Sequence, residues 1–143
     1  MTQTPVVVVG GGLIGLEVAE NLADRGVKTS VIDFAPHVLS EMLDPEMSEY
    51  VENAMANAGI MPFTGVALEG ITGTGKVEKV LTSRRPMKAD AVVLAMGFRP
   101  NTDFLADSGL EMVKGTLLVD EHMQTNDPDI YAAGDCALVT SRI

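Results

Sequence analysis

The sequence is poor in several residue types, and each shortage excludes a class of protein. It has one cysteine, Cys136, so no internal disulfide can form and no cysteine-based zinc spacing exists. Basic residues are half as numerous as acidic ones, 10 against 20, and the formal net charge is −10. Such a surface repels nucleic acid and anionic membranes, so neither is predicted as a partner. No apolar run approaches the roughly 20 residues needed to cross a bilayer.

What the sequence does contain is typical of one soluble globular domain. Hydrophobic residues make up 46% and charged residues 21% of the 143 residues. A chain of this length can bury roughly two thirds of its unfolded surface, which is enough for a core without disulfides or metals. The first residues carry no charged leader or apolar signal segment. Together with the single cysteine, these features predict a cytoplasmic protein without a metal site.

The order of hydrophobic patterns in the first third predicts a βαβ unit. An apolar, β-branched strand at 6–9 is followed by a glycine turn, a helix at 13–25 that Gly26 ends, and a second strand at 27–33. This connection is right-handed by default. The apolar face of the predicted helix is supplied by Leu13, Leu16, Val18, Ala19 and Leu22.

A second helix, a small antiparallel sheet and a further buried strand are predicted next. Asp44 is a suitable N-cap, Pro45 fits the first helical position and Gly59 ends the helix, which gives a helix over 44–58. The pattern of predicted strands and helices becomes irregular after Gly97, and a soft domain boundary is placed near residue 100. The other predicted elements are strands at 60–64 and 89–95, a meander of strands near 66–72, 77–83 and 86–88, and a short helix near 102–108.

Gly10, Gly12 and Gly15 have the spacing of a dinucleotide-binding turn between a strand and a helix. The first glycine permits the tight turn, the second lets the backbone approach a pyrophosphate, and the third lets helix and strand pack closely. The pyrophosphate then lies at the positive end of the helix dipole. A tight turn without a ligand is the alternative, although the strand–turn–helix–strand context favours nucleotide binding.

Asp33 ends the second predicted strand at about the 20-residue spacing expected of an acid that binds ribose hydroxyls. A carboxylate at this position repels the 2′-phosphate of NADP(H). The next four residues, Phe34 to His37, contain no arginine or lysine to hold that phosphate, and His37 could help only if protonated. The sequence therefore predicts NAD(H) in preference to NADP(H), with His37 as a bystander.

Three blocks resemble, in the same order, the FAD-dependent pyridine nucleotide–disulfide oxidoreductases. The block from Gly10 to Glu17 resembles the signature of their NAD domain, residues 89–101 resemble the strand and turn that close it, and 125–135 resemble the second FAD motif. The texture is most similar to coenzyme A-disulfide reductases, NADH oxidases and NADH peroxidases. The implied fold is α/β, a Rossmann-like three-layer β/β/α NAD(P)-binding domain with a parallel sheet and an antiparallel β-meander.

The resemblance also implies a function and a set of cofactor-binding residues. In this family NADH passes a hydride to FAD, and the flavin reduces a cysteine-based centre on the FAD domain. Glu17 matches the acid that faces the nicotinamide carboxamide, and Leu13 stands where many members carry an aromatic residue that covers the flavin. No catalytic residue is implied within the chain. The implied cofactor-binding residues are Gly10, Gly12, Leu13, Ile14, Gly15, Glu17, Asp33, Phe34, Gly97 and Asp135, the last of them toward FAD.

By the same resemblance, residues 1–116 correspond to the NAD(H)-binding domain and 117–143 to the return into the FAD-binding domain of a parent protein. The implied partners are NADH and the FAD-binding and dimerisation domains, and the isolated chain is expected to self-associate and not to turn over. Cys136 is interpreted as a small buried thiol. A non-catalytic NAD(H)-sensing or scaffolding module is the alternative function. A glycine turn that binds FAD is another alternative, against which Glu17 and the meander argue.

Overall fold

A computed structural model describes residues 5–139, which form two compact units that meet in the sequence between Gly97 and Phe98. This division lies close to the soft boundary near residue 100, whereas the boundary at 116/117 falls at the start of a strand. The first unit contains β1 (Pro5–Val9), α1 (Leu13–Asp24), β2 (Lys28–Ile32), α2 (Pro45–Asn57), β3 (Met61–Phe63), β4 (Leu68–Thr72), β5 (Lys79–Thr82), β6 (Met87–Lys88) and β7 (Ala91–Leu94). The second contains a 3-10 turn (Asp103–Leu105), β8 (Met112–Val113), β9 (Thr116–Val119) and β10 (Ala137–Val139).

The centre of the first unit is a four-stranded parallel sheet in the order β3-β2-β1-β7. β1 is apolar along its whole length because it is covered on both faces, which is typical of parallel sheets. Val7 and Val9 lie in one core cluster and Val8 lies in the other. Successive side chains of a strand point to opposite faces, so the run of valines serves two cores at once.

One face of the sheet is covered by the antiparallel meander β4-β5-β6 and the other by the two helices. The core on the meander side contains Val7, Val9, Ile32, Val66, Val80 and Ala89. The core on the helical side contains Val8, Ala19, Val31, Val38, Met55 and Ile60, with Leu16, Val18 and Leu22 of α1 packed against it. The predicted three-layer β/β/α fold is thereby confirmed.

The apolar face predicted for α1 is wrong at one position. Leu13 is 60% exposed and lies in neither core cluster. It is the first residue of the helix, next to the glycine turn, so it does not reach the layer between α1 and the sheet. The helix ends as predicted, since Gly26 adopts φ +74° and its backbone N–H donates to Ala23 O at 2.8 Å.

The boundaries of α2 follow from local chemistry, as the sequence predicts. The Asp44 carboxylate accepts a hydrogen bond from Met47 N at 3.0 Å, Pro45 occupies the first turn, and Gly59 follows the helix with φ +79°. Asp44 provides an acceptor for a free N–H of the first turn, Pro45 brings no N–H that would need one, and Gly59 N donates to Ala56 O at 3.0 Å.

Replacing Asp44 by alanine should lower the free energy of unfolding by about 1 kcal/mol, because the first turn of α2 loses its capping acceptor. Urea denaturation followed by circular dichroism measures this difference. Asp44→Asn is the control, since asparagine caps helices about as well as aspartate, and it should retain most of the stability. Equal losses in both variants would show that the carboxylate acts through charge and not as a cap.

The second unit is a small sheet in the order β10-β9-β8, in which β9 pairs parallel with β10 and antiparallel with β8. The helix predicted near 102–108 is shorter than expected, since only the 3-10 turn at Asp103–Leu105 forms there. The expectation that Cys136 is buried is wrong: the thiol is partly exposed, and Sγ lies 3.5 Å from Ala133 O in the turn before β10. Across residues 5–139, no helix has both the length and the apolar character to cross a bilayer.

Candidate nucleotide-binding site

The carboxyl ends of three parallel strands bring the glycine turn, Asp33 and the segment before Gly97 to one edge of the sheet. Val9 is in register with Ile32 on β2 and with Leu94 on β7, so the residues that follow these three start from the same level. Gly10 N donates to Ile32 O at 2.9 Å, and Ala95 N donates to Val9 O at 2.7 Å. Ligands of open α/β sheets bind at this edge.

The three glycines of the turn have different surroundings. Gly10 adopts φ +113°, and a Cβ there would lie 2.2 Å from Ala95 O. A Cβ on Gly15 would lie 1.9 Å from Gly10 O. A Cβ on Gly12, in contrast, would meet no atom within 4 Å. The first and third glycines therefore allow close backbone packing, whereas the second leaves open space in front of the helix.

The amino terminus of α1 faces this space without a side-chain cap. Gly12 is the N-cap residue in an extended conformation, no side chain caps the helix, and its first turn carries no acidic residue. Leu16 N donates to Gly12 O at 3.0 Å, which is the first hydrogen bond of the helix. The backbone N–H groups of the three residues before Leu16 therefore have no acceptor within the helix. Such N–H groups, at the positive end of a helix dipole, fit a pyrophosphate.

The Asp33 carboxylate is fixed against the glycine turn. Its Oδ2 accepts a hydrogen bond from Gly11 N, and its Oδ1 accepts one from Ala35 N at 2.7 Å. The backbone of Asp33 is held too, since its N–H donates to Phe63 O and its carbonyl accepts from Val66 N. A carboxylate offers about four lone-pair sites, so acceptors for ribose hydroxyls are left over.

Gly11 has a structural role that the sequence analysis did not assign. A Cβ on this residue would lie 3.0 Å from Asp33 Oδ2 and 3.2 Å from Val38 Cγ1. The glycine therefore allows the acid and the following loop to approach the turn. The run of three consecutive glycines was the only signal for this role in the sequence.

The remaining predicted residues of the first unit lie on its surface. Leu13, Ile14 and Phe34 are 60%, 65% and 82% exposed, and Glu17 and Gly97 are also exposed. This edge is an open surface. A cavity of about 690 Å³ lies instead at the opposite edge, where Pro5 and Lys28 begin their strands.

Asp135 belongs to the second unit. It is exposed and follows Gly134, which adopts φ +93°. The segment before it is a compact turn in which the Thr125 hydroxyl bonds Asp127 O and Ile130 O, each at 3.0 Å. Asp135, a few residues after this turn, lies at the surface of the second unit.

Comparison with known proteins gives one family. The whole chain, residues 1–143, matches the family described as pyridine nucleotide-disulphide oxidoreductase. An NADH oxidase of Methanocaldococcus jannaschii is 42% identical over 134 residues, which cover 94% of this chain and 30% of that protein.

Solved structures of similar proteins share the fold. A ferredoxin reductase of Rhodopseudomonas palustris has a TM-score of 0.90 at 36% identity, over 98% of this chain and 35% of that one. A water-forming NADH oxidase of Lactobacillus brevis, bound to NADH, has a TM-score of 0.86 at 30% identity, over 95% of this chain and 30% of that one. The chain thus spans about a third of the length of these proteins. It belongs to the pyridine nucleotide-disulphide oxidoreductase family.

Proposed function

We propose that the chain is the NAD(H)-binding part of an FAD-dependent oxidoreductase of the NADH oxidase type, and that it positions NADH for hydride transfer to the flavin. The observation that carries this proposal is the open space at Gly12, in front of an uncapped helix and beside the fixed carboxylate of Asp33. These three features offer a place for a pyrophosphate and a partner for the adjoining ribose.

Each part of the nucleotide has residues suited to it. The backbone N–H groups of Leu13, Ile14 and Gly15 would hold the pyrophosphate, and Asp33 would accept the ribose hydroxyls. The exposed Phe34 ring, next to Asp33, offers an apolar surface to the adenosine. The bound nicotinamide would supply the hydride.

The nicotinamide end would meet a different group of residues. Glu17 would accept from the carboxamide, Gly97 would let the backbone pass close to the ring, and Leu13 would fill space without stacking as an aromatic side chain does. These assignments follow the family resemblance. Glu17, Gly97 and Leu13 are exposed, so each is accessible to a ligand.

The preference for NAD(H) over NADP(H) follows from charge. The Asp33 carboxylate would repel a 2′-phosphate, and residues 34 to 37 contain no arginine or lysine to compensate. The similar NADH oxidase of Lactobacillus brevis binds NADH, which supports the same choice here.

The rest of the reaction would need parts of a longer protein. Its FAD-binding domain would supply the flavin, Asp135 would contact FAD, and a dimerisation domain would complete the assembly. The isolated chain would then bind NADH without turnover and would self-associate through its exposed apolar residues. A cytoplasmic location fits the single cysteine, which cannot form an internal disulfide.

Calorimetric titration of the chain with NADH and, separately, with NADPH tests the proposal. We expect a dissociation constant of roughly 0.1–1 mM for NADH, and binding of NADPH at least about tenfold weaker. Asp33→Asn should reduce this discrimination because it removes the repelling charge. Both affinities should fall as well, since the NH2 group of asparagine cannot accept from Gly11 N or Ala35 N as the second carboxylate oxygen does. Asp24→Asn is the matched control, since Asp24 is an exposed acid at the far end of α1 and its replacement should change neither titration.

The outcomes separate the two parts of the proposal. Absence of NADH binding at millimolar concentrations would contradict the assignment of the glycine turn. Equal binding of NADH and NADPH by the unmodified chain would leave that assignment standing and contradict only the role of Asp33 in the choice of cofactor.

A further inference from the structure

The loop after β2 lies directly against the glycine turn. We call residues 34–39 the ribose loop. Leu39 N donates to Gly11 O at 2.9 Å, and the Val38 side chain is completely buried beside the same glycine. Ala35 N donates to the Asp33 carboxylate. The ribose loop, the glycine turn and Asp33 are therefore one connected structure, and whatever fixes the loop affects what the site presents to a nucleotide.

Helix α2 fixes the ribose loop from behind through two side chains. Ser48 Oγ donates to Val38 O at 2.8 Å, and Glu52 Oε1 accepts from Val38 N at 3.1 Å. Ser48 and Glu52 are four residues apart and lie on one face of the helix. A buried residue needs partners for both backbone polar groups, and Val38 obtains both from α2.

The carboxylate oxygen that binds Val38 N also lies 3.8 Å from His37 Nδ1. His37 carries the only side chain in the ribose loop that can become cationic or donate a hydrogen bond to an anion. The Glu52 side chain is 23% exposed, so solvent and salt screen it less than a fully exposed acid. A protonated His37 imidazole would pair with this carboxylate, and an anionic ligand would then have to compete with Glu52 for it.

We propose that Glu52 is a specificity-determining residue that acts through His37. By holding the imidazole beside α2, it leaves the ribose pocket without a donor for a 2′-phosphate, while Asp33 repels that phosphate directly. The inference rests on the proposed function, because it needs a nucleotide whose ribose lies at Asp33. Glu52 is a positioning residue for the pocket and not a group that touches the nucleotide.

Three variants of the 143-residue chain test this inference in titrations with NADH and NADPH. Glu52→Gln retains an oxygen that can accept from Val38 N, but it removes the charge that holds His37. We expect NADH affinity to stay within about twofold and NADPH affinity to rise about fivefold, the low end of ordinary coupling between sites. Ser48→Ala removes the other bond to Val38, so it should lower the melting temperature without changing the ratio of the two affinities.

The His37→Asn variant distinguishes the proposed role of Glu52, which acts through His37, from a purely structural role of Glu52 in holding the loop. In a chain that already carries His37→Asn, adding Glu52→Gln should no longer raise NADPH affinity, since the imidazole that it would release is gone. The titrations are run near pH 6, below the usual imidazole pKa of about 6.5.

The possible results distinguish a failure of the proposed function from a failure of the inference about Glu52. If the unmodified chain does not bind NADH, the proposed function and this inference both fail. If it binds NADH but Glu52→Gln leaves the affinity ratio unchanged, or if the gain persists without His37, only the inference is overturned. A change of the ratio in Ser48→Ala equal to that in Glu52→Gln would also overturn it, because loop position and not charge would then decide the choice.

Discussion

Replacing Gly15 by alanine is expected to destabilise the first unit by about 3 kcal/mol or more, although alanine is the best helix former. Helix propensity alone predicts the opposite result, a gain of about 1 kcal/mol. The added Cβ would lie 1.9 Å from Gly10 O and 3.0 Å from Gly10 C, and both are backbone atoms that cannot turn away as a side chain does. Helix α1 would have to move off the sheet and expose part of the helical-side core.

Thermal and urea denaturation measure this effect, and we expect the melting temperature to fall by roughly 10 °C or more. Gly26→Ala is the matched control. Gly26 also needs glycine, because it adopts φ +74°, but a Cβ there would meet no atom within 4 Å. Its replacement should lower the free energy of unfolding by only about 1 kcal/mol, because alanine is strained in the left-handed backbone conformation. A Gly15→Ala protein as stable as the unmodified chain would contradict the close packing of turn and helix.

The sequence was sufficient for those parts of the fold that depend on local chemistry. The limits of α2 were predictable because Asp44, Pro45 and Gly59 each act on the backbone within one turn of the helix. The arrangement of the layers came from the family resemblance, because the hydrophobic pattern predicts strands and helices but not which face of the sheet each of them covers.

Features that depend on distant contacts could not be predicted. Leu13 satisfies the apolar pattern of α1 but is 60% exposed, because periodicity does not show where the sheet beneath a helix ends. The partial exposure of Cys136 depends likewise on the surroundings of its turn. The hydrogen bonds from α2 to Val38 join residues 10 and 14 positions apart through an irregular loop, and no sequence pattern marks such contacts.

In the candidate site, the glycine spacing was visible in the sequence, whereas the distinct physical role of each glycine is visible only in the structure. Gly10 and Gly15 are constrained by backbone atoms of the protein itself, so they would be required even if no nucleotide were bound. Gly12 has open space around it and an extended backbone that any residue can adopt, so nothing in the fold requires glycine there. Because the fold does not need glycine at position 12, a substitution of Gly12 tests nucleotide binding separately from stability.

Replacing Gly12 by aspartate is expected to change stability and nucleotide binding in opposite directions. Aspartate is a favoured N-cap residue and complements the helix dipole, so the free energy of unfolding should be unchanged or rise by up to about 1 kcal/mol. The same carboxylate would occupy the space in front of α1 and repel a pyrophosphate. We therefore expect NADH affinity to fall at least about tenfold, to a dissociation constant of roughly 1–10 mM or weaker.

Gly12→Asn separates bulk from charge, because asparagine has the same shape, caps helices equally well and carries no charge. It should bind NADH more weakly than the unmodified chain and more strongly than Gly12→Asp. Urea denaturation of all three proteins shows whether the fold is retained, and calorimetry with NADH measures binding. If Gly12→Asp folds and still binds NADH as the unmodified chain does, the pyrophosphate does not lie at this helix. If both variants lose binding equally, bulk and not charge at position 12 decides binding. The nucleotide would then need the close approach to the backbone that only glycine allows.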